Sequence, residues 1–273
     1  MKKLFAFAVR LARDAKENNL ITHANELTYK LLLSFFPFLI FLMSLLAFLK
    51  MDVGPYLDDM ARALPEGIGG ILESFATEVL SKRSAGILSG SLLVTLYTTS
   101  SGLNALIRGI NKAYGERETR GFIAVRLISV ALVFLLAAAI ILSLVILIFG
   151  DAIYNALLKN YAVSPAMGFV FGAAGYLAVM AILLFAVIFI YKFAACRKIT
   201  VTGAFPGALV TLVVWVVSSK ALNIYVNNFA RYSRVYGSIA GIIILMLWLN
   251  IISVILLIGG AVNAAIVIER DRK

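Results

Sequence analysis

The chain has 273 residues, 62% of them hydrophobic and only 14% charged, with a mean hydropathy of +0.97 and a formal net charge of +11. A soluble domain is nearer half apolar and a quarter charged, so these values exclude an ordinary soluble fold and indicate a polytopic membrane protein. A single cysteine, Cys196, and a single histidine, His23, exclude an intrachain disulfide and any zinc site built from His and Cys.

The first 30 residues contain Lys2, Lys3, Arg10, Arg13, Lys16 and Lys30 and no continuous apolar stretch, which is not the pattern of a cleaved signal peptide. Leu4, Ala8, Leu11 and Ala15 make one face and Lys3, Arg10, Arg13 and Glu17 lie toward the other, so this segment is expected to be an interfacial helix. Leu31–Leu49 is the first stretch free of charge and long enough to span, and Pro37 should kink it. The long segment Lys50–Ala85 repeats Ile68, Leu72, Phe75 and Val79 at helical spacing. It is expected to form two short amphipathic helices divided at Pro65 that cover the bundle, with a substrate lid as the other reading. Five further uncharged runs follow: Gly86–Ile107, Leu127–Gly150, Asn160–Tyr191, Ile199–Ser219 and Val235–Ile268. Two of them exceed the length of one span, so the expected spans are 31–49, 86–107, 127–150, 169–191, 201–221 and 236–266. The expectation is an all-α bundle of six transmembrane helices, forming one integral membrane domain over 1–273. Glycines spaced by four at Gly86, Gly168, Gly203 and Gly237 are expected to let helices approach closely, and Pro206 is expected in the first turn of the fifth span.

Six spans put both termini on one side. With that side inside, 17 of the 25 basic residues fall on inner segments, while the acids divide evenly. The positive-inside bias therefore predicts that both termini are cytoplasmic, and the surplus charge would face anionic lipid of the inner leaflet rather than nucleic acid.

The second run changes character midway, at "YTTSSGLN", Tyr97 to Asn104. Tyr97, Ser101, Asn104, Arg108 and Asn111 are spaced 4, 3, 4 and 3, so they share one helical face, and Thr95, Thr98, Thr99 and Ser100 add hydroxyls around it. Such a stripe cannot face lipid without cost, so it faces other helices as interhelical glue or lines a cavity open to the cytoplasm. The fifth run ends in "SSKALN", a short match with one insertion to "SSGLN". If the two three-span halves are inverted repeats, Lys220 and Asn223 would mirror the stripe. Asn250, near the middle of the sixth span, needs a partner and should face the bundle. The candidate cavity residues are thus Tyr97, Ser100, Ser101, Asn104, Arg108, Asn111, Lys220, Asn223 and Asn250. No acid lies deep in an expected span, since Glu26 and Asp151 fall only at edges. That takes away the usual carboxylate of a proton- or sodium-coupled carrier.

Three stretches carry a resemblance: "LTYKLLLSFFPFLIF" from Leu27, "GLNALIRGINKAYGERETRGFIAVRL" from Gly102 and "YGSIAGIIILMLWLNIISVILLIGGAVNAA" from Tyr236. They resemble the bacterial YihY/BrkB family, formerly labelled ribonuclease BN, most specifically at Asn111, Tyr114, Arg120 and Arg126. The resemblance implies a six-span protein of the inner membrane, and a part in envelope or lipid-like substrate transport has been suggested for relatives. The ribonuclease label finds no support in the residues. Glu116 and Glu118 lie among arginines, no P-loop, HExxH or GxSxG is present, and no base lies near Thr98, Ser100 or Ser101. The expectation is not an enzyme and no cofactor, but a transporter or flippase-like protein for an amphipathic or anionic substrate. Arg117, Arg120 and Arg126 would draw anions or lipid headgroups to its inner mouth. The alternative is a non-transporting membrane scaffold.

Overall fold

A computed structural model describes residues 9, 11, 13–48, 85–160, 165–228 and 239–271. Within them lie six long helices: α1 (Leu20–Phe48), α2 (Ala85–Ala113), α3 (Phe122–Asn160), α4 (Pro165–Ala194), α5 (Val201–Asn228) and α6 (Ile239–Asp271). No strand occurs among the described residues, and the all-α architecture expected from the sequence is the one observed. Most of the expected N-terminal interfacial helix and both amphipathic helices of 50–84 lie outside the described residues. Residues 13–17 are helical and end at Asn19, whose φ of 52° is the left-handed conformation in which asparagine commonly terminates a helix.

Five helices, α1 and α3 to α6, are long and apolar enough to cross a membrane. With 29 residues α2 has the length as well, about 44 Å at 1.5 Å per residue, but it is not among those five. The hydroxyls and amide between Thr95 and Asn104 dilute its apolar content. All six helices outrun the expected spans at one end or both. The first starts at Leu20 rather than Leu31, and α3 runs 39 residues.

The core gathers where α1, α2, α3, α4 and α6 meet, around Leu27, Leu106, Ile110, Leu132, Tyr191 and Leu257. The closest partnership is α1 with α2. Gly102 sits against Lys30 and Leu31, and Gly109 leaves so little room that an added Cβ would lie 2.6 Å from Leu257. These two points also set the pairing as antiparallel, with His23 beside Gly109 and Leu31 beside Gly102. The outer faces of α3, α4 and α5 carry exposed Phe134, Leu177, Phe185 and Val217, a distribution that lipid solvates.

The glycine pairs behave unequally. Gly207 packs on α6 so tightly that a Cβ there would meet the Gly259 carbonyl and the Asn263 amide, whereas Gly90 and Gly172 have nothing within 4 Å. Pro206 is the sixth residue of α5, in its second turn rather than its first, because the helix begins at Val201. A proline there cannot donate to its helix, and the neighbouring backbone is served from outside. Gly207 N donates to Asn263 Oδ1 at 2.6 Å, and Asn263 Nδ2 donates to the Ala204 carbonyl at 3.0 Å. One side-chain amide of α6 thus bonds backbone groups of α5 on both sides of Pro206.

Candidate functional site

The face expected from the 4, 3, 4, 3 spacing is present on α2, but its members meet different neighbours. Tyr97 is 73% exposed and lies beneath Arg126 of α3, whose guanidinium is 5.3 Å from the ring centre and donates to the Tyr97 carbonyl at 3.2 Å. Thr98 and Ser100 donate back to carbonyls of their own helix, Thr98 to Val94 and Ser100 to Leu96 and Tyr97. Back-bonding of this kind satisfies a hydroxyl locally and links nothing to another helix. Thr95 and Thr99 are buried with no hydrogen-bond partner. Ser101 and Asn104 are half-buried, and Asn104 accepts from Ser129 of α3 at 3.3 Å. Arg108 is exposed and Asn111 is buried.

Around Arg108 the structure assembles a charged cluster that the sequence spacing did not reveal. Glu26 of α1 is bridged by Arg108 of α2 and by Lys30 at 2.8 Å, both through Oε1. Its other oxygen, Oε2, lies 3.8 Å from His23 Nδ1. That nitrogen is buried without a hydrogen-bond partner. On another face of α1, Asn250 of α6 donates to Asn25 Oδ1 at 3.0 Å and to Thr28 Oγ1 at 3.2 Å, so its amide faces the bundle through α1. The sequence placed Glu26 at the edge of the first span. Because α1 begins at Leu20, the carboxylate lies within the helix stretch that is apolar enough to cross.

A second cluster closes the same end of the bundle. Asn111 Nδ2 donates to Glu118 Oε2 at 2.7 Å, and Asn111 Oδ1 accepts from Cys196 N at 2.8 Å. Arg120 was expected to draw anions, but its guanidinium is already engaged. It donates to both Glu118 oxygens at 2.7 Å, to the Phe193 carbonyl at 2.8 Å and to the Ala194 carbonyl at 2.7 Å. An arginine on the last carbonyls of α4 caps that helix and favours its dipole. The Arg120 guanidinium holds the Glu118 carboxyl below the usual range, against the opposing effect of burial. Burial, with Glu118 and Glu116 behind it, pushes the Cys196 thiol up. Arg117 is exposed, and Arg126 is half-exposed over Tyr97.

Lys220 and Asn223 are not brought to either cluster. They lie about 24 Å or more along α5 from Ala204, which joins the core at the end where Tyr114 and Ala194 meet. Asn223 is half-buried and Lys220 is exposed. Sequence reasoning passed over Tyr191, which is fully enclosed, shares a 2.6 Å hydrogen bond with Thr211 and donates to the Leu256 carbonyl at 2.8 Å. Its place as the last residue of an apolar run gave no periodic signal. Among the described residues no group of three or more His, Cys, Asp or Glu could hold a metal ion.

Comparison with known proteins places this architecture. The profile of the virulence factor BrkB family matches residues 11–273. A putative ribonuclease-like protein of Bacillus subtilis, YfkH, is 34% identical over 239 residues, covering 88% of this chain and 87% of that protein. The UPF0761 membrane protein RSc1559 of Ralstonia nicotianae is 24% identical over 283 residues, covering 98% of this chain but only 60% of its own length. A UPF0761 membrane protein of Xanthomonas oryzae matches over 89 residues at 28% identity, a third of this chain and 21% of its own. No solved structure matches the chain. With a family match over nearly its whole length and a bundle of membrane-length apolar helices, the chain belongs to the BrkB family of integral membrane proteins.

Proposed function

We propose that this protein is a transporter or flippase-like carrier for an amphipathic or anionic, lipid-related substrate. The observation that carries the reading is the half-open polar face of α2. Ser101 and Asn104 are partly accessible on the face that continues to Arg108, which is 46% exposed, in the helix that, among those described, is long enough to cross but less apolar than the other five. A face of that kind is costly against hydrocarbon and fits the wall of a wet path between helices. Arg108 and Lys30 would meet the charged part of the substrate, and Tyr97, Ser101 and Asn104 would line its way. No catalytic step, cofactor or nucleic acid enters this reading. The partners are lipids of an anionic inner leaflet, in the plasma membrane of a bacterium, with both termini on the cytoplasmic side as the basic bias predicts.

A second reading has its own support. Asn111, Glu118, Arg120 and Asn250 all direct their side chains to neighbouring segments, as a non-transporting scaffold would require. Reconstitution separates the two. Vesicles holding the purified protein should carry a fluorescent anionic amphiphile across the bilayer faster than empty vesicles, and Arg108→Gln should remove most of the gain. Equal rates with and without protein, for anionic and zwitterionic probes alike, would leave only the scaffold.

A further inference from the structure

We propose that Glu26 is an internal counter-anion that occupies the place of the substrate's charge, so that binding an anion at Arg108 and Lys30 transfers one proton onto Glu26. The inference rests on the carrier reading above and adds the coupling ion to it. Three observations lead to it.

First, the cluster holds two permanent cations against one carboxylate. Arg108 reaches across from α2 and Lys30 lies one turn along α1, and both bond the same oxygen, Oε1. No charged side chain of α6 joins them, since α6 meets this region through Asn250 and Leu257. The next charge on α2 is exposed Lys112, one turn beyond Arg108. An anionic headgroup that docks on Arg108 and Lys30 therefore competes directly with Glu26.

Second, the displaced carboxylate has nowhere better to go. The only cations that meet it among the described residues are Arg108 and Lys30, and the nearby amides and hydroxyl of α1 and α6, Asn25, Thr28 and Asn250, are bonded to one another on another face of α1. An ionised carboxylate left without its partners in a partly dehydrated site is costly, and protonation is the cheaper state.

Third, a proton carrier stands beside the carboxylate. His23 Nδ1 is buried without a hydrogen-bond partner, 3.8 Å from Glu26 Oε2, the oxygen that the cations leave free, so a small movement of the side chain brings the two into contact. An imidazole can take a proton on one nitrogen and give one from the other. The balance is simple. The acid form of the aqueous buffer gives a proton to His23 Nε2 and is left as its conjugate base, Nδ1 gives one to Glu26 Oε2, and the substrate anion takes the Oε1 side of Arg108 and Lys30. On release the carboxyl returns its proton and closes back on Arg108. Each cycle thus moves one anionic charge together with one proton, and the protein never exposes an unpaired carboxylate.

Calorimetry on the full chain in lipid nanodiscs tests this, with octyl sulfate as a permanently ionised amphipathic anion and empty nanodiscs as the blank. Measured in two buffers of different protonation enthalpy, the wild type should take up about one proton per anion bound. Its affinity should fall about tenfold for each pH unit raised. Glu26→Gln should bind more tightly, with no proton uptake and no dependence on pH. Glu26→Asp, which keeps the charge but shortens its reach to Arg108, provides a second variant should the first not purify: tighter binding with proton uptake retained. Arg108→Gln should abolish binding. Binding that needs Arg108 but takes up no proton would overturn the coupling and leave the anion site standing. Binding indifferent to Arg108→Gln, or no binding at all, would overturn both.

Discussion

Asn111 engages both ends of its carboxamide, giving Nδ2 to Glu118 and taking Cys196 N on Oδ1, and is 2% exposed. Replacing it by alanine leaves the Cys196 N–H without its acceptor and takes one of several donors from Glu118, which Arg120 still holds, a loss of about 1–3 kcal/mol. Asn111→Ala should therefore lower the thermal midpoint in detergent, and a midpoint unchanged from wild type would show that the 114–121 and 195–200 segments do not depend on it. Glu118 adds a pH signature. Its folded carboxyl is lowered from the ordinary 4.5, chiefly by its Arg120 hydrogen bond. The stability it contributes is fully present above about pH 5 and is lost as pH falls through its folded value. Glu118→Gln should be less stable than wild type at neutral pH, and the gap should narrow on acidification below the ordinary carboxylate range. A gap that stays constant into acid would refute the pairing with Arg120. The sequence showed Glu118 only as an acid among arginines, because which arginine caps α4 depends on where two loops meet in space.

At the scale of elements, the crossing of α5 and α6 depends on absent side chains. Gly207 and Gly259 bring the two backbones together, and Asn263 serves the backbone beside Pro206. Gly207→Ala must push the helices apart, at about 1–3 kcal/mol for overpacking. Gly172→Ala, where nothing lies within 4 Å, should leave stability in place or raise it slightly through helix propensity. Thermal unfolding of the two variants side by side decides the matter, and equal midpoints would contradict the crossing. Both glycines sit in spacings of four, so the sequence marked them alike. Only the partner helix distinguishes a packed glycine from an open one. The helical face of Tyr97, Ser101, Asn104, Arg108 and Asn111 was legible because a period of 3.6 is a property of one segment. That Glu26 would meet Arg108 was not, since the two are 82 residues apart and their pairing follows from the antiparallel register of α1 and α2.

For the whole molecule, the six hydrophobic runs each fall on one of the six long helices among the described residues, five of which are apolar enough to cross, and composition alone reported the membrane. The uncharged runs misjudged where helices begin, because a charge such as Lys30 or Glu26 ends a run but not a helix when a neighbouring helix supplies its partner. The proposed sidedness rests on the 17 of 25 basic residues that fall on one side in a six-span arrangement. Reporter fusions at Lys273 and within Asp58–Glu78 should accordingly report opposite sides of the membrane, and the same side for both would refute an even number of spans between termini. The central claim, that the polar half of α2 borders a wet path, is tested most directly by single cysteines along that helix in intact membranes, with Cys196 replaced by serine. Ser101→Cys and Asn104→Cys should react with a charged, water-soluble thiol reagent, while Leu103→Cys and Ile107→Cys, on the buried face, should not. Protection of positions 101 and 104 equal to that of 103 and 107 would contradict the account.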